Sequence, residues 1–371
     1  MQDNPNLHGG FQLAEEVRQA YKRGQIDYSM EALVRLGIDG IPIGVIKDGD
    51  AVIFCCRRGE REVELTEIFT DPDFGHFHRQ PLDLIDFTIL TLYHEKFKDL
   101  SVAFAPTRGS GTLGEMASKA GLKQFRCSES EKFSHVTYFL NGGTNEPYPN
   151  EIQKRVPSLK GIPFEQIPEL SLLEVTDEII NALQSDLDLV ITNFANGDVI
   201  GHTSNKEAKV LCAEAIDHNL ERVVIEARRR DYITLITADH GNLEVLYTVK
   251  GKPHVAHTSN LVPLIIIDPL QQESMKPEPG KLADLAPTIL AMLNVPVSKE
   301  MNGNNLLPDI TWHQGRKILL IILDGWGEGP QDETNPIFLG QTPFWDEISS
   351  RYPHTSLAAS GEAVGLQTGK P

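Results

Sequence analysis

Three aspartates and three histidines stand beside short hydrophobic runs of the sequence, where predicted strands begin or end. Carboxylates and imidazoles are ligands that Mn2+ and Zn2+ both accept, and two such ions close together stabilise the attacking and leaving oxygens of an in-line displacement. The six residues are Asp198, His202, Asp239, His240, His257 and Asp324. Their types and positions predict a two-metal site of the kind that transfers phosphoryl groups.

The spacing within this set adds to the prediction. His202 follows Asp198 by four residues, so one helical turn would turn both side chains toward the same ion. Taken singly, each of the six could be a solvated loop residue or a helix cap. Several of them, however, follow predicted strands at the carboxyl end, where parallel sheets bind ligands, and this agreement favours a common site.

The elements that must position these residues form an α/β repeat, which becomes clear from about residue 165. Strands are predicted at 189–193, 232–236, 261–267 and 318–323. Apolar residues at +3/+4 spacing predict a long helix after the first strand, and Asp284 is expected to cap another helix that runs to Leu293. The run at 318–323 is the most hydrophobic, so we expect it to insert into the sheet of residues 189–267 despite its late position.

The first 140 residues alternate less regularly between the two kinds of pattern. Helices are predicted at 11–23, 82–97 and 113–120, and strands at 51–54, 101–104 and 136–140. The segment 306–316 is predicted to be a linker.

Composition limits the class of partner. A formal net charge of −18 over 371 residues argues against nucleic acid and anionic membranes, although bound cations could still attract a phosphorylated small molecule into one cleft. No apolar run reaches membrane-spanning length, and the N-terminus lacks the pattern of a signal peptide. Cys55, Cys56, Cys127 and Cys212 lack metal-type spacing and are expected to be reduced thiols. We therefore expect a cytoplasmic protein.

Four segments closely resemble the cofactor-independent phosphoglycerate mutases, a family within the alkaline-phosphatase-like metalloenzymes. They are Asn193–Thr203, Ile236–Asn242, Pro253–Asn260 and Ile322–Gly327, and Ser130–Phe139 supports them. The resemblance implies an α/β fold: an alkaline-phosphatase-like, mainly parallel sheet flanked by helices, plus a partial second α/β domain, the family's transferase domain. It also implies the activity, the interconversion of 3-phosphoglycerate and 2-phosphoglycerate in glycolysis and gluconeogenesis.

The same resemblance assigns roles to individual residues. Two divalent ions are implied, Mn2+ first, with Zn2+ or Mg2+ as alternatives. Their ligand sets would be Asp198, His202 and His257 for one ion, and Asp324, Asp239 and His240 for the other. Lys132 would stabilise the transferred phosphoryl group, and Arg58 and Arg61 would hold the anionic substrate. Without the resemblance, Lys132 would be taken for a solvated lysine and the two arginines for parts of a charged turn.

The order of the segments departs from the family. The Ile322–Gly327 segment opens the family's proteins, whereas here it follows the 306–316 linker, which indicates a circular permutation or the joining of two parts of such genes. The expected domains are a partial transferase domain at 1–140, one part of the metal-binding domain at 141–305, and its permuted first part at 317–371. Because the transferase domain would be incomplete, we expect an exposed apolar face within residues 1–130.

The family's nucleophilic serine, which would carry the phosphoryl group as phosphoserine, has no counterpart in the sequence. It belongs to a Gly-Asn-Ser motif that follows the stretch ending here at Gly369–Pro371. Two hypotheses are therefore open. The chain is active alone, or it is a catalytically inactive or split homologue that needs a complementary fragment. Another phosphatase-superfamily hydrolase is a third interpretation, which the matches around Lys132 and Arg58 disfavour.

Overall fold

The computed structural model describes residues 9–25, 30–55, 60–105, 109–159, 161–270 and 275–370. The chain divides into two compact units, residues 1–106 and 107–371, each with its own sheet. This division lies before the boundary expected at residue 140, because a strand at Gln124–Glu129 pairs within the sheet of the second unit.

The first unit contains a three-stranded parallel sheet in the order β1-β2-β3. Its elements are α1 (Gly9–Lys22), β1 (Ala51–Phe54), α2 (Glu60–Thr70), β2 (Asp86–Thr91) and β3 (Ser101–Phe104). Phe87, Ile89 and Phe97 form a small core. Several large apolar side chains of this unit are exposed; among them are Val34, Ile38, Ile53, Ile85 and Phe104.

The prediction of a helix at 82–97 is wrong. The segment contains strand β2 and a short 3-10 helix at Glu95–Phe97. Within β2 the buried residues Phe87 and Ile89 alternate with less buried neighbours, which is the period of a strand and not of a helix. The β-branched residues of this run also favour the extended backbone.

The second unit is built on an eight-stranded, mainly parallel sheet in the order β5-β4-β6-β10-β7-β8-β11-β9. Its strands are β4 (Gln124–Glu129), β5 (Glu151–Val156), β6 (Leu189–Phe194), β7 (Tyr232–Thr237), β8 (Val262–Ile267), β9 (Gly280–Lys281), β10 (Lys317–Leu323) and β11 (His354–Ala358). Strand β8 runs antiparallel to both of its neighbours, β7 and β11, and the other pairs are parallel. The α/β class and the mainly parallel sheet are thus confirmed.

Strand β10 lies in the centre of this sheet, between β6 and β7, as its hydrophobicity predicts. Ile318, Leu319, Ile321 and Leu323 are fully buried. A strand that is covered on both faces reads as a continuous apolar run, and burial of that run places it centrally whatever its position in the chain.

Helices flank the sheet. They are α3 (Leu113–Lys119), α4 (Phe133–Val136), α5 (Leu172–Leu183), α6 (Asn196–Gly201), α7 (Lys206–Arg229), α8 (Leu285–Met292), α9 (Pro336–Leu339) and α10 (Pro343–Arg351). The longest, α7, begins where the Asn205 side chain accepts the N–H of Ala208, and its apolar face packs on α5, α6 and β7. This packing fixes the segment between β6 and β7, which carries the first candidate ligands.

Two further predictions concern the segments 136–140 and 306–316. The strand predicted at 136–140 is wrong: helix α4 and a turn occupy the region, ending at Gly142 and Gly143, which both have positive φ. The segment 306–316 contains no helix or strand, as expected for a linker, but Leu306, Leu307 and Trp312 are buried. It therefore packs as part of the second unit.

Candidate metal centre

Four neighbouring parallel strands, β4, β6, β10 and β7, bring their carboxyl ends to one edge of the large sheet. The candidate residues that follow these strands are Lys132, Asp198, Asp324, Asp239 and His240. His257 comes from the segment before β8, which is antiparallel to β7 and so begins at the same edge. The sheet topology therefore gathers residues from distant parts of the chain.

Asp198 is the centre of the first group. It lies in the short helix α6, and His202 follows the end of that helix. The Nε2 atoms of His257 and His202 are 3.0 and 3.1 Å from Asp198 Oδ1. The other ring nitrogen of His202 hydrogen bonds with the carbonyl of Val255 at 2.8 Å, which turns Nε2 toward the carboxylate.

Asp324 and His240 form the second group. Asp324 is fully buried, and its Oδ1 lies 3.7 Å from His240 Nε2. Asp239 Oδ2 is 3.6 Å from the same nitrogen, while Asp239 Oδ1 accepts the Gly325 N–H at 3.3 Å. Donor atoms of His240, Asp324 and Asp198 all lie within 4.8 Å of one another, and Asp239 lies beside His240. All six predicted ligands thus meet in one place, and Asp198 faces both groups.

Lys132 lies between the two groups. Its Nζ atom donates to Asp198 Oδ2 at 2.6 Å and to Asp324 Oδ1 at 3.0 Å. The side chain is largely buried at the start of α4, directly after β4. A cation is therefore already accommodated between the two carboxylates.

The charged groups of the cluster shift one another's pKa values in opposite directions. Burial alone would raise the pKa of Asp198, but hydrogen bonds from His202 and His257 hold it far below its ordinary value. Burial likewise opposes the charge of Lys132, yet Asp324 and Asp198 raise its pKa. The pKa of Asp239 is raised well above its ordinary value by burial and by the charge of Asp324. The Lys132 ammonium therefore does not offset the cost of charging Asp239 beside Asp324, and a bound cation would favour the charged form of that carboxyl group.

The donor set fits divalent ions. A nitrogen and an oxygen that share an ion at about 2.1 Å lie roughly 3.0–3.4 Å apart. The Nε2–Oδ1 separations of 3.0 and 3.1 Å in the first group fall in this range. The 3.7 Å separation between His240 and Asp324 needs only a small closure. Mixed imidazole and carboxylate ligands suit Mn2+ and Zn2+.

Sequence reasoning missed two amides that orient the carboxylates. Asn193 Nδ2 donates to Asp324 Oδ2 at 2.7 Å, and Asn242 Nδ2 donates to Asp198 Oδ1 at 3.1 Å. Both amides are buried. Their only signal in the sequence is their position, one near the end of β6 and the other in the loop that contains Asp239 and His240.

The two predicted substrate arginines belong to the first unit. Arg58 lies outside the described residues, and Arg61 falls within α2 with its side chain outside them. Their assignment stays a prediction.

Comparison with known proteins places the chain in a family. A family model described as the metalloenzyme superfamily matches residues 31–297 and 316–371. The chain belongs to the metalloenzyme superfamily. It is 42% identical over 295 residues to the 2,3-bisphosphoglycerate-independent phosphoglycerate mutase of Clostridium perfringens. The match covers 79% of this chain and 57% of that protein. For the mutase 2 of Methanosarcina acetivorans the figures are 41% over 293 residues, 78% and 56%.

The chain thus spans a little over half the length of these curated relatives. A solved structure titled "Crystal structures of Leishmania mexicana phosphoglycerate mutase at low cobalt concentration" is similar at a TM-score of 0.60 and 28% identity, and the match covers 73% of this chain and 53% of that one. The resemblance seen in the sequence motifs, and the fold it implied, are confirmed. Among the described residues of this metalloenzyme, no helix is long and apolar enough to cross a membrane.

Proposed function

We propose that this metalloenzyme binds two divalent ions at Asp198, His202 and His257 and at Asp324, Asp239 and His240, and takes part in phosphoryl transfer between the 3- and 2-positions of phosphoglycerate. The observation that carries the proposal is the position of Lys132, whose ammonium joins the Asp198 and Asp324 carboxylates at the centre of the cluster. The activity of the relatives supports the choice of substrate.

The chain's own residues would divide the work as follows. When bound, two ions would polarise the phosphoryl oxygens and stabilise the attacking and leaving groups. Asn193 and Asn242 hold Asp324 and Asp198 in fixed orientations, so the ligands need little rearrangement. Once cations neutralise those carboxylates, the Lys132 ammonium is available to a phosphoryl oxygen.

Other parts of the proposal rest on the resemblance. Arg58 and Arg61 would bind the anionic groups of phosphoglycerate, the first unit would act as a partial transferase domain, and Mn2+ would be the ion, with Zn2+ or Mg2+ as alternatives. We place the reaction in the cytoplasm, as part of glycolysis and gluconeogenesis, and regard the late position of β10 as a circular permutation of the family's order.

The family's phosphoryl carrier is a serine in a Gly-Asn-Ser tripeptide, which does not occur in the 371 residues. A second candidate function is that the chain binds the metals and contributes Lys132, and a complementary fragment of the same family contributes the serine. In that case the site would bind metal and phosphoglycerate without turning the substrate over alone.

A mutase assay with three arms tests the proposal. The purified chain is loaded with Mn2+, supplied with 3-phosphoglycerate, and coupled to enolase; it is assayed alone, with a serine-bearing fragment of a relative, and on a generic phosphomonoester. Asp198→Asn should abolish both Mn2+ binding and any turnover, whereas Asp217→Asn, which alters a buried carboxylate in α7, should retain them. Turnover by the chain alone would support the first candidate function. Turnover only with the serine-bearing fragment would support the second. Phosphate release from the generic ester without mutase activity in either arm would replace both with a hydrolase.

A further inference from the structure

Glu244 is a buried carboxylate that the proposed chemistry does not use. It lies just after the loop that contains Asp239 and His240, and its exposed fraction is 0%. Burial of a carboxylate is costly unless hydrogen bonds replace the water it loses. The contacts of Glu244 therefore indicate what its charge holds in place.

Four donors from three different segments converge on this carboxylate. Oε2 accepts the backbone N–H groups of Asn242 at 2.8 Å and Gly327 at 3.1 Å. Oε1 accepts the Thr258 hydroxyl at 2.5 Å and the Asn260 amide at 2.8 Å. A carboxylate can accept all four hydrogen bonds because both of its oxygens are acceptors. In a glutamine, an NH2 group replaces one oxygen, and its hydrogens would face donors instead of accepting from them.

Each of the three segments carries a candidate metal ligand. Asn242 is two residues from His240, Gly327 is three residues from Asp324, and Thr258 is adjacent to His257. Within the described part of the chain, Glu244 makes no hydrogen bond with any of these candidate ligands. It joins the loop after β7, the loop after β10 and the segment before β8 at a single point.

Three glycines lie so close to Glu244 that a side chain at any of them would press against it. A Cβ atom added at Gly241 would lie 2.4 Å from Glu244 Oε1, and one at Gly327 would lie 2.5 Å from the carboxyl carbon. A Cβ at Gly329 would meet the Glu244 side chain at 3.0 Å. The glycines therefore let two loops close directly onto the carboxylate.

Glu244 is also connected to the segment that carries Asp198, the fourth segment of the metal centre. Asn242, whose backbone N–H is held by Glu244, donates through its side chain to Asp198 Oδ1 at 3.1 Å. A backbone bridge between Gly241 and Thr258 links the same two loops again. Through Asn242, the position of Glu244 bears on Asp198 as well.

We propose that Glu244 is the positioning residue of the metal centre: its carboxylate locks the three ligand-bearing segments in register and thereby sets the affinity for both ions. This inference rests on the proposed metal binding. It adds a residue that is four positions from the nearest ligand in sequence and that acts through the backbone and through Asn242.

Glu244→Gln tests the inference, with Asp217→Asn as the matched control. Asp217 is also a buried carboxylate that accepts two backbone N–H groups, those of Phe344 and Trp345, but these begin α10 and carry no ligand. Two measurements are needed: amide hydrogen exchange of the metal-free proteins, and calorimetric titration of each with Mn2+. The Mn2+ titrations are run at a temperature at which every variant is folded. A lower affinity then cannot come from a loss of folded protein.

We expect Glu244→Gln to speed exchange in the peptides spanning 240–243, 257–260 and 325–328, and to weaken Mn2+ binding about 10- to 100-fold. Asp217→Asn should speed exchange around α10 and leave Mn2+ affinity unchanged. If Glu244→Gln only lowers the melting temperature, with wild-type affinity and wild-type exchange in those peptides, the inference is overturned. Should Glu244→Gln fail to fold, Thr258→Val removes a single donor, and unchanged Mn2+ affinity in that variant would overturn it equally.

The two proposals can fail separately. Absence of Mn2+ binding by the wild-type chain would defeat the proposed function, while hydrogen exchange of the metal-free protein would still report whether Glu244 holds the three segments together.

Discussion

Lys132 and Asp324 are 192 positions apart in the sequence, and their side chains meet at 3.0 Å in the interior of the second unit. The same ammonium reaches Asp198 at 2.6 Å. In the chain without ions, a lysine thus partly neutralises the carboxylates that would otherwise repel one another. This relationship makes folding and metal binding interdependent, and it leads to the first two predictions.

Lys132→Met should destabilise the metal-free protein by about 3 kcal/mol, because it leaves two buried carboxylates without their cation. Mn2+ should restore more stability to this variant than to the wild type, since the ions then supply the missing positive charge. Urea unfolding with and without Mn2+ measures both effects. Lys123→Met is the control: it removes an exposed pair with Asp186 and should cost less than about 1 kcal/mol in either condition.

His257→Asn should weaken the ion held with Asp198 and His202 and so reduce the thermal shift that Mn2+ produces. An ion present at 100 times its dissociation constant stabilises the folded state by about 2.7 kcal/mol, a contribution that EDTA removes. Differential scanning calorimetry with Mn2+ and with EDTA measures the difference. His218→Asn on the exposed side of α7 should keep the wild-type shift; an equal shift in all three proteins would exclude His257 as a ligand.

Lys209 should make stability depend on alkaline pH. Its Nζ donates to the His254 carbonyl at 2.7 Å, and burial lowers the pKa of this lysine to about 8 from its ordinary value near 10.5. Between these values the unfolded chain binds a proton that the folded chain does not, so the free energy of unfolding gains a contribution that grows as pH rises. The contribution amounts to about 3 kcal/mol over the full interval.

Lys209→Met isolates this effect. Its stability relative to the wild type should fall by about 3 kcal/mol between pH 7 and about pH 10.5, because only the wild type is relieved of a buried charge. Urea unfolding at several pH values gives the difference directly. A constant difference across that interval would mean that Lys209 is not forced toward its neutral form.

The sequence predicted those parts of the structure that depend on local pattern or on burial. Strand β10 was placed correctly because a run such as Ile318–Leu323 can be satisfied only at the centre of a sheet. The six candidate ligands were brought to attention because most of them follow the carboxyl ends of strands, and the sheet topology places those ends side by side. The predicted helix at 82–97 failed because a mixed apolar run was read with the wrong period.

What could not be predicted depends on contacts between loops. Glu244 looks like any acidic residue after a strand, and its role emerges only when Asn242, Gly327 and Thr258 converge on it. Asn193 and Asn242 are likewise ordinary until the carboxylates they orient are in place. Lys132 was singled out by resemblance alone, since neither its neighbours in sequence nor its spacing signals a buried position between Asp198 and Asp324.

The central position of β10 gives the last prediction. Ile321 is fully buried and lies in register with Thr192 of β6 and Ile236 of β7. Ile321→Ala should therefore lower the free energy of unfolding by about 3 kcal/mol, through lost burial and the cavity that remains. Leu211→Ala, on the exposed face of α7, should change it by less than about 0.5 kcal/mol. Urea unfolding of the full chain, followed by tryptophan fluorescence, measures both, since the indole of Trp326 is buried three residues beyond the strand. Equal effects of the two substitutions would show that the late strand is not part of the sheet.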